Sequence, residues 1–156
     1  MSYVFDTSPL SGLFRNFYRR RFPSLWEKFD ALVAEGRLMS TREVLHEIEN
    51  GPVESLRDWA ANHHDLFPAP NAAEGAFVAR IYAVEHFQRN IEQQQILKGG
   101  RIADPFVIAK AATSNNSVVT LETFRENAAR IPNICRHFGI ECLSLEDFME
   151  REGWEF

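Results

Sequence analysis

The sequence predicts an α/β fold with a mainly parallel central sheet. Short apolar runs of strand-forming residues ("YVF", "RLM", "SVVTL", "IECLSL") alternate along the chain with longer segments of helical period. Those helical segments open on capping residues or proline and close on glycine or Asn-Gly. The length, 156 residues, and the composition, 45% hydrophobic and 25% charged with thirteen phenylalanines and three tryptophans, suit one globular domain over residues 1–156 with a substantial core.

Taken in order, "YVF" is a short buried strand that Asp6 ends. "LSGLFRNFY" and "PSLWEKFDALVAEG" follow as helices. The second opens on Pro23, carries Leu25, Trp26, Phe29, Leu32 and Val33 at helical spacing, and stops at Gly36. "RLM" is a second short strand. In "STREVLHEIENG", Ser40 is the expected N-cap with Glu43 as its capping-box partner; Val44, Leu45 and Ile48 form the apolar face. "VESLRDWAANH" is a further helix, broken at "FPAPN". A long helix is predicted from Ala72 to Phe87, with Phe77, Ile81 and Val84 on one stripe. "NIEQQQILKGGR" is polar, ends in Gly99-Gly100, and reads as a loop or frayed helix. "ADPFVIAKAATS" opens on Asp104-Pro105 and is then apolar on nearly every side, the signature of a buried helix. "SVVTL" is a strand, and "IPNICRHFG", "IECLSL" and "SLEDFMEREG" are helix, strand and capped terminal helix.

Several classes are disfavoured by bulk properties. Cys135 and Cys142 have no metal-ligand spacing and are too few for a disulfide framework, which implies a reduced, cytoplasmic protein. No apolar stretch approaches the ~20 residues of a membrane span, and no signal peptide is visible. The net charge of -5 does not advertise a nucleic-acid binder. Locally, "RNFYRRRF" sets Arg15, Arg19, Arg20 and Arg21 among Phe14, Phe17, Tyr18 and Phe22. That pattern suits either phosphate contact with base stacking or a solvated helix face whose aromatics pack inward. The histidines form no site.

Chemistry is carried by four acidic residues. Asp6 directly follows the first strand and Glu122 follows "SVVTL"; Asp104 begins the most apolar helix; Glu47 lies in "REVLHEIE" beside Ile48. Parallel sheets bind ligands at the carboxyl ends of their strands, and strand ends and helix starts converge there. Carboxylates gathered at one edge repel unless a cation sits among them, and all-oxygen donors suit magnesium or manganese. Ser8 and Thr120 are hydroxyls placed to orient such carboxylates or their waters. Each position also has a local reading. Asp6 suits an N-cap, Asp104 a cap before Pro105, Glu47 a solvated face, Glu43 the capping box, and Glu122 the start of a helix "ETFRENAAR".

In order, "VFDTSPL", "STREVLHEIE", "ADPFVIAKA" and "VVTLETF" resemble the acidic motifs of PIN-domain nucleases. The stretch Ile131 to Met149, "IPNICRHFGIECLSLEDFM", resembles the tail of a bacterial PIN-like subgroup. The resemblance implies a three-layer α/β/α sandwich and a magnesium- or manganese-dependent endoribonuclease. It further implies the toxin of a toxin–antitoxin pair, with RNA as substrate, an antitoxin as partner, and homodimerisation. It carries Asp6, Glu47 and Asp104 over as metal ligands and Glu122 as the fourth acidic position, with Glu43 the alternative on its helix. Many PIN nucleases have Asp or Asn in the last motif, so the longer Glu122 puts a second metal position in question. The rival readings are a non-catalytic PIN-like module that binds RNA or protein, and an aspartate-nucleophile phosphatase. The phosphatase wants a second Asp two residues after the first, where this chain has Ser8.

Overall fold

The structure, a computed structural model, describes residues 1–92 and 102–156. Its sheet contains β1 (Tyr3–Phe5), β2 (Leu38–Met39), β3 (Ser117–Val119) and β4 (Cys142–Leu143) in the spatial order β2-β1-β3-β4, with every pairing parallel. The register pairs Tyr3 with Leu38, Phe5 with Val119, and Val119 with Leu143. β1 and β3 are buried along their whole length. This is why both read as continuous apolar runs rather than as alternating strands.

The helices whose two ends both lie among the described residues are α1 (Thr7–Asn16), α2 (Pro23–Ala34), α3 (Arg42–Glu49), α4 (Glu54–Ala61), α5 (Ala72–Tyr82), α6 (Asp104–Ser114), α7 (Ile131–Phe138) and α8 (Leu145–Glu152). The chain steps from β1 to β2 in one direction, then past β1 to β3 and on to β4 in the other. Right-handed crossovers therefore place α1 and α2 on one face and α6 and α7 on the opposite face. Packing agrees: α1, α3 and α4 meet one another, while α6 lies on β1 and β3 and against α5 and α7. α8 returns beside α2, where Glu152 accepts from the Tyr3 hydroxyl at 2.5 Å and from Arg37 at 2.5 Å. Phe148 meets Tyr3 and Phe5 edge-on at 4.7 and 5.2 Å. The result is a three-layer α/β/α sandwich. Among the described residues no helix is long and apolar enough to cross a membrane.

Local differences from the sequence reading have identifiable causes. α1 starts at Thr7 rather than Leu10, directly behind β1. Thr41, not Ser40, caps α3 by accepting from Val44 N; Ser40 is wholly buried and donates to Phe5 O at 2.8 Å. The hydroxyl predicted as a cap thus ties β2 to β1, and Glu43 pairs with its neighbour Arg42 at 2.8 Å instead of closing a box. The helix predicted over Ala72–Phe87 stops at Tyr82, and a 3-10 turn, Glu85–Phe87, follows. "ETFRENAAR" is not helical. Of "NIEQQQILKGGR", residues 90–92 are helical and the rest lies outside the described residues. The cap predicted at Ser144 is present as a full capping box with Asp147.

Candidate active site at the carboxyl edge of the sheet

Between β1 and β3 the chain reverses its direction of progress across the sheet, which opens a crevice beyond their carboxyl ends. Asp6 and Thr120 are the residues that leave the two strands there. The Asp6 amide donates to Val119 O at 3.0 Å, and the Thr120 hydroxyl donates to Asp6 Oδ2 at 2.9 Å. Ser8 Oγ donates to the same carboxylate oxygen at 3.2 Å. Asp6 has the backbone position of an N-cap, yet its side chain makes no cap hydrogen bond. The carboxylate, in a residue only 5% exposed, is turned toward the crevice hydroxyls rather than toward the α1 amides.

A cavity of about 390 Å³ fills the crevice, lined by Asp6, Thr7, Ser8 and Ser11 from the β1–α1 segment, Glu47 from α3, and Glu122. Ile48, Val53 and Leu56 form an apolar wall. Ser8 and Ser11, three apart, share one face of α1. Glu47 accepts from Thr7 Oγ1 at 2.6 Å. Glu122 is positioned twice: its amide donates to Thr120 Oγ1 at 3.2 Å, and its carboxylate accepts from Ile131 N at 3.0 Å. It therefore occupies the positive end of α7, a favourable place for a carboxylate.

Asp104 is not among the residues lining that cavity. It is the first residue of α6, with Ala103 as N-cap, and is 1% exposed. Asn90 Nδ2 donates to Asp104 Oδ2 at 2.9 Å and to Ala129 O at 3.0 Å, joining α6 to the 120–130 loop that carries Glu122. The half-buried Tyr82 phenol is raised to about 12 by desolvation and by the Asp104 carboxylate. Among the described residues no three His, Cys, Asp or Glu side chains are close enough to hold a metal ion together. Each of the four carboxylates accepts from at least one described donor: Thr120 and Ser8 for Asp6, Thr7 for Glu47, Asn90 for Asp104, and Ile131 N for Glu122. The donor set is nevertheless all oxygen, the chemistry that hard divalent cations take.

Sequence reasoning missed Thr7 and Asn90. Thr7 had a signal, a hydroxyl beside Asp6 on the first turn of α1; Asn90 had none within its polar run. Glu43 is directed to Arg42 and does not line the cavity. The arginines Arg15, Arg19, Arg20 and Arg21 are exposed, at the far end of α1 or just beyond it. A ten-residue helix spans about 15 Å, which sets them away from the carboxylates. Arg19 is occupied by Asp30 at 2.9 Å and by the Trp26 ring at 4.3 Å, while Arg20 and Arg21 border a separate cavity with Tyr18. Cys135 and Cys142 are free thiols; hydrogen bonding to Cys142 and burial push the Cys135 thiol up.

Fold and site define an α/β protein with an acidic, hydroxyl-lined cavity at the switch point of a parallel sheet. The chain belongs to the DUF4411 family, described as a domain of unknown function, whose model matches residues 3–156. No curated protein matches the chain.

Proposed function

We propose that the chain is a metal-dependent endoribonuclease of the PIN type, acting in the cytoplasm. The observation that carries the reading is the convergence of Asp6, Glu47 and Glu122 on one switch-point cavity, with buried Asp104 tied by Asn90 to the loop bearing Glu122. Asp6 and Glu47, which line the cavity, would hold a magnesium or manganese ion, with Asp104 as the third ligand that the motif resemblance implies and Glu122 as a fourth acidic group. When bound, such an ion activates a water and neutralises charge developing on the phosphodiester. The chain's own contribution is placement. Thr120 and Ser8 fix the Asp6 carboxylate, Thr7 holds Glu47, and Ile48, Val53 and Leu56 restrict water on one wall. A toxin role, with an antitoxin as binding partner, is supported by the motif resemblance alone, and so is homodimerisation.

The test is cleavage of single-stranded RNA with manganese by the parent protein, Asp6→Asn and Asp104→Asn. Both variants are expected to fold and to lose cleavage; full activity in either removes it from the assignment. A second reading, a non-catalytic module of the same fold, is favoured by one observation: the cavity carboxylates Asp6, Glu47 and Glu122 accept from hydroxyl and amide donors of the chain, and among the described residues no three are grouped closely enough to share an ion. Calorimetric titration separates the two, because absence of manganese binding at millimolar concentration selects the module.

A further inference from the structure

We infer that Phe124 and Arg136 form a stacking platform for a base of single-stranded RNA, next to the carboxylate cavity. The identity of the polymer rests on the ribonuclease reading; the platform itself rests on the loop after β3. That loop exposes two large apolar side chains, Leu121 and Phe124, each 47% accessible, on either side of Glu122. A singly exposed aromatic is ordinary protein surface, but this one sits on a braced backbone. Ser8 Oγ accepts from Leu121 N at 3.0 Å, and Arg130 Nη1 donates to Thr123 O at 3.3 Å. Asn133 Nδ2 donates to Arg125 O at 2.6 Å, and Asn127 takes the left-handed turn that Asn tolerates. A rigid loop presents an exposed ring without the ordering cost that a flexible one meets on binding.

The Arg136 guanidinium lies 4.8 Å from the Phe124 ring centroid, so a cation already occupies part of the aromatic surface. Arg125 and Arg136 are exposed, and Arg130 is half-buried beside them; Glu126 is the exposed carboxylate of the same loop. An aromatic ring backed by a guanidinium suits a base and its phosphate better than an apolar protein surface, because stacking and charge neutralisation are supplied together. Phe124 is two residues beyond the cavity-lining Glu122, so at most about 7 Å of backbone separates them, within a nucleotide's reach of the cavity. The cluster Arg15, Arg19, Arg20 and Arg21 is separated from the carboxylates by the length of α1 and is less well placed to hold the strand at the reacting bond.

The experiment measures binding of a labelled single-stranded oligoribonucleotide by fluorescence anisotropy in chelator, for the parent protein, Phe124→Ala, Phe124→Trp and Arg136→Ala. Cleavage with manganese is followed separately. Phe124→Ala is expected to weaken binding about tenfold, Phe124→Trp to retain it, and Arg136→Ala to weaken it with a shallower salt dependence. A duplex of the same sequence should show no dependence on Phe124. Unchanged affinity in Phe124→Ala, a Trp variant as weak as the Ala variant, or no binding by the parent overturns the platform. Capture of a protein partner that depends on Phe124 while RNA affinity does not would likewise reassign the surface. Phe124-dependent binding without cleavage refutes the nuclease reading and keeps the platform; cleavage indifferent to Phe124 does the reverse.

Discussion

Replacing Thr120 by Val tests whether the hydroxyl at the end of β3 holds the site together. The substitution keeps the β-branched shape, so no cavity opens in a position that is 1% exposed. What is lost is the donor to Asp6 Oδ2 at 2.9 Å and the acceptor for Glu122 N at 3.2 Å. A hydrogen bond to a charged acceptor contributes about 1.5–3 kcal/mol, and an orphaned amide costs about 1 kcal/mol or more. Ser8 Oγ still donates to the same Asp6 oxygen at 3.2 Å, which offsets part of the loss. The net expectation is a destabilisation of about 2–3 kcal/mol, read as a fall in Tm of roughly 4–12 °C for a domain of this size. Thr120→Ser, which keeps the hydroxyl, should recover most of it. Urea denaturation and calorimetry measure the stability, and RNA cleavage, if present, should fall about 10- to 100-fold as the Asp6 carboxylate loses its orientation. A Val variant within about 0.5 kcal/mol of the parent, or a Ser variant as damaged as Val, would refute the assignment of this role to the hydroxyl.

Two further outcomes follow from the buried polar groups. Asn90→Ala removes the donor shared by Asp104 and Ala129 O, and should cost about 2–3 kcal/mol in urea denaturation while loosening the 120–130 loop in hydrogen exchange. The second concerns alkaline pH. Burial and the hydrogen bond to Glu152 raise Tyr3 to about 12, and burial with Asp104 nearby raises Tyr82 to about 12, against about 10 for a free phenol. Between these values the folded chain keeps protons that the unfolded chain releases. The stabilisation is therefore complete below pH about 10 and is lost as pH rises toward about 12. Urea midpoints taken across that range should fall, and Tyr82→Phe should make the fall shallower; a flat profile in the parent would contradict both phenol environments.

Sequence alone determined the parallel α/β architecture. Apolar runs such as "YVF" and "SVVTL" can be satisfied only by cover on both faces, and the prolines, caps and glycines around α2, α7 and α8 act over three or four residues. It also picked out Asp6, Glu47 and Glu122, which the structure brings to one cavity, because residues at strand ends and on one turn of α3 have positions implied by the topology. Tertiary structure decided which local offers were taken. Ser40 is by type the better cap and Thr41 the weaker one; the buried carbonyl of Phe5 claims the first, which leaves the cap to the second. Whether Asp6 caps α1 or faces the crevice depends on Thr120, 114 residues away, arriving beside it through the β1–β3 register. Asn90 bridging Asp104 to Ala129, and Phe124 held exposed beneath Arg136, likewise depend on elements that meet only in the folded chain. Periodicity reports which face of an element is buried; the donor that a buried or crevice carboxylate finds is set by what the neighbouring element brings to it.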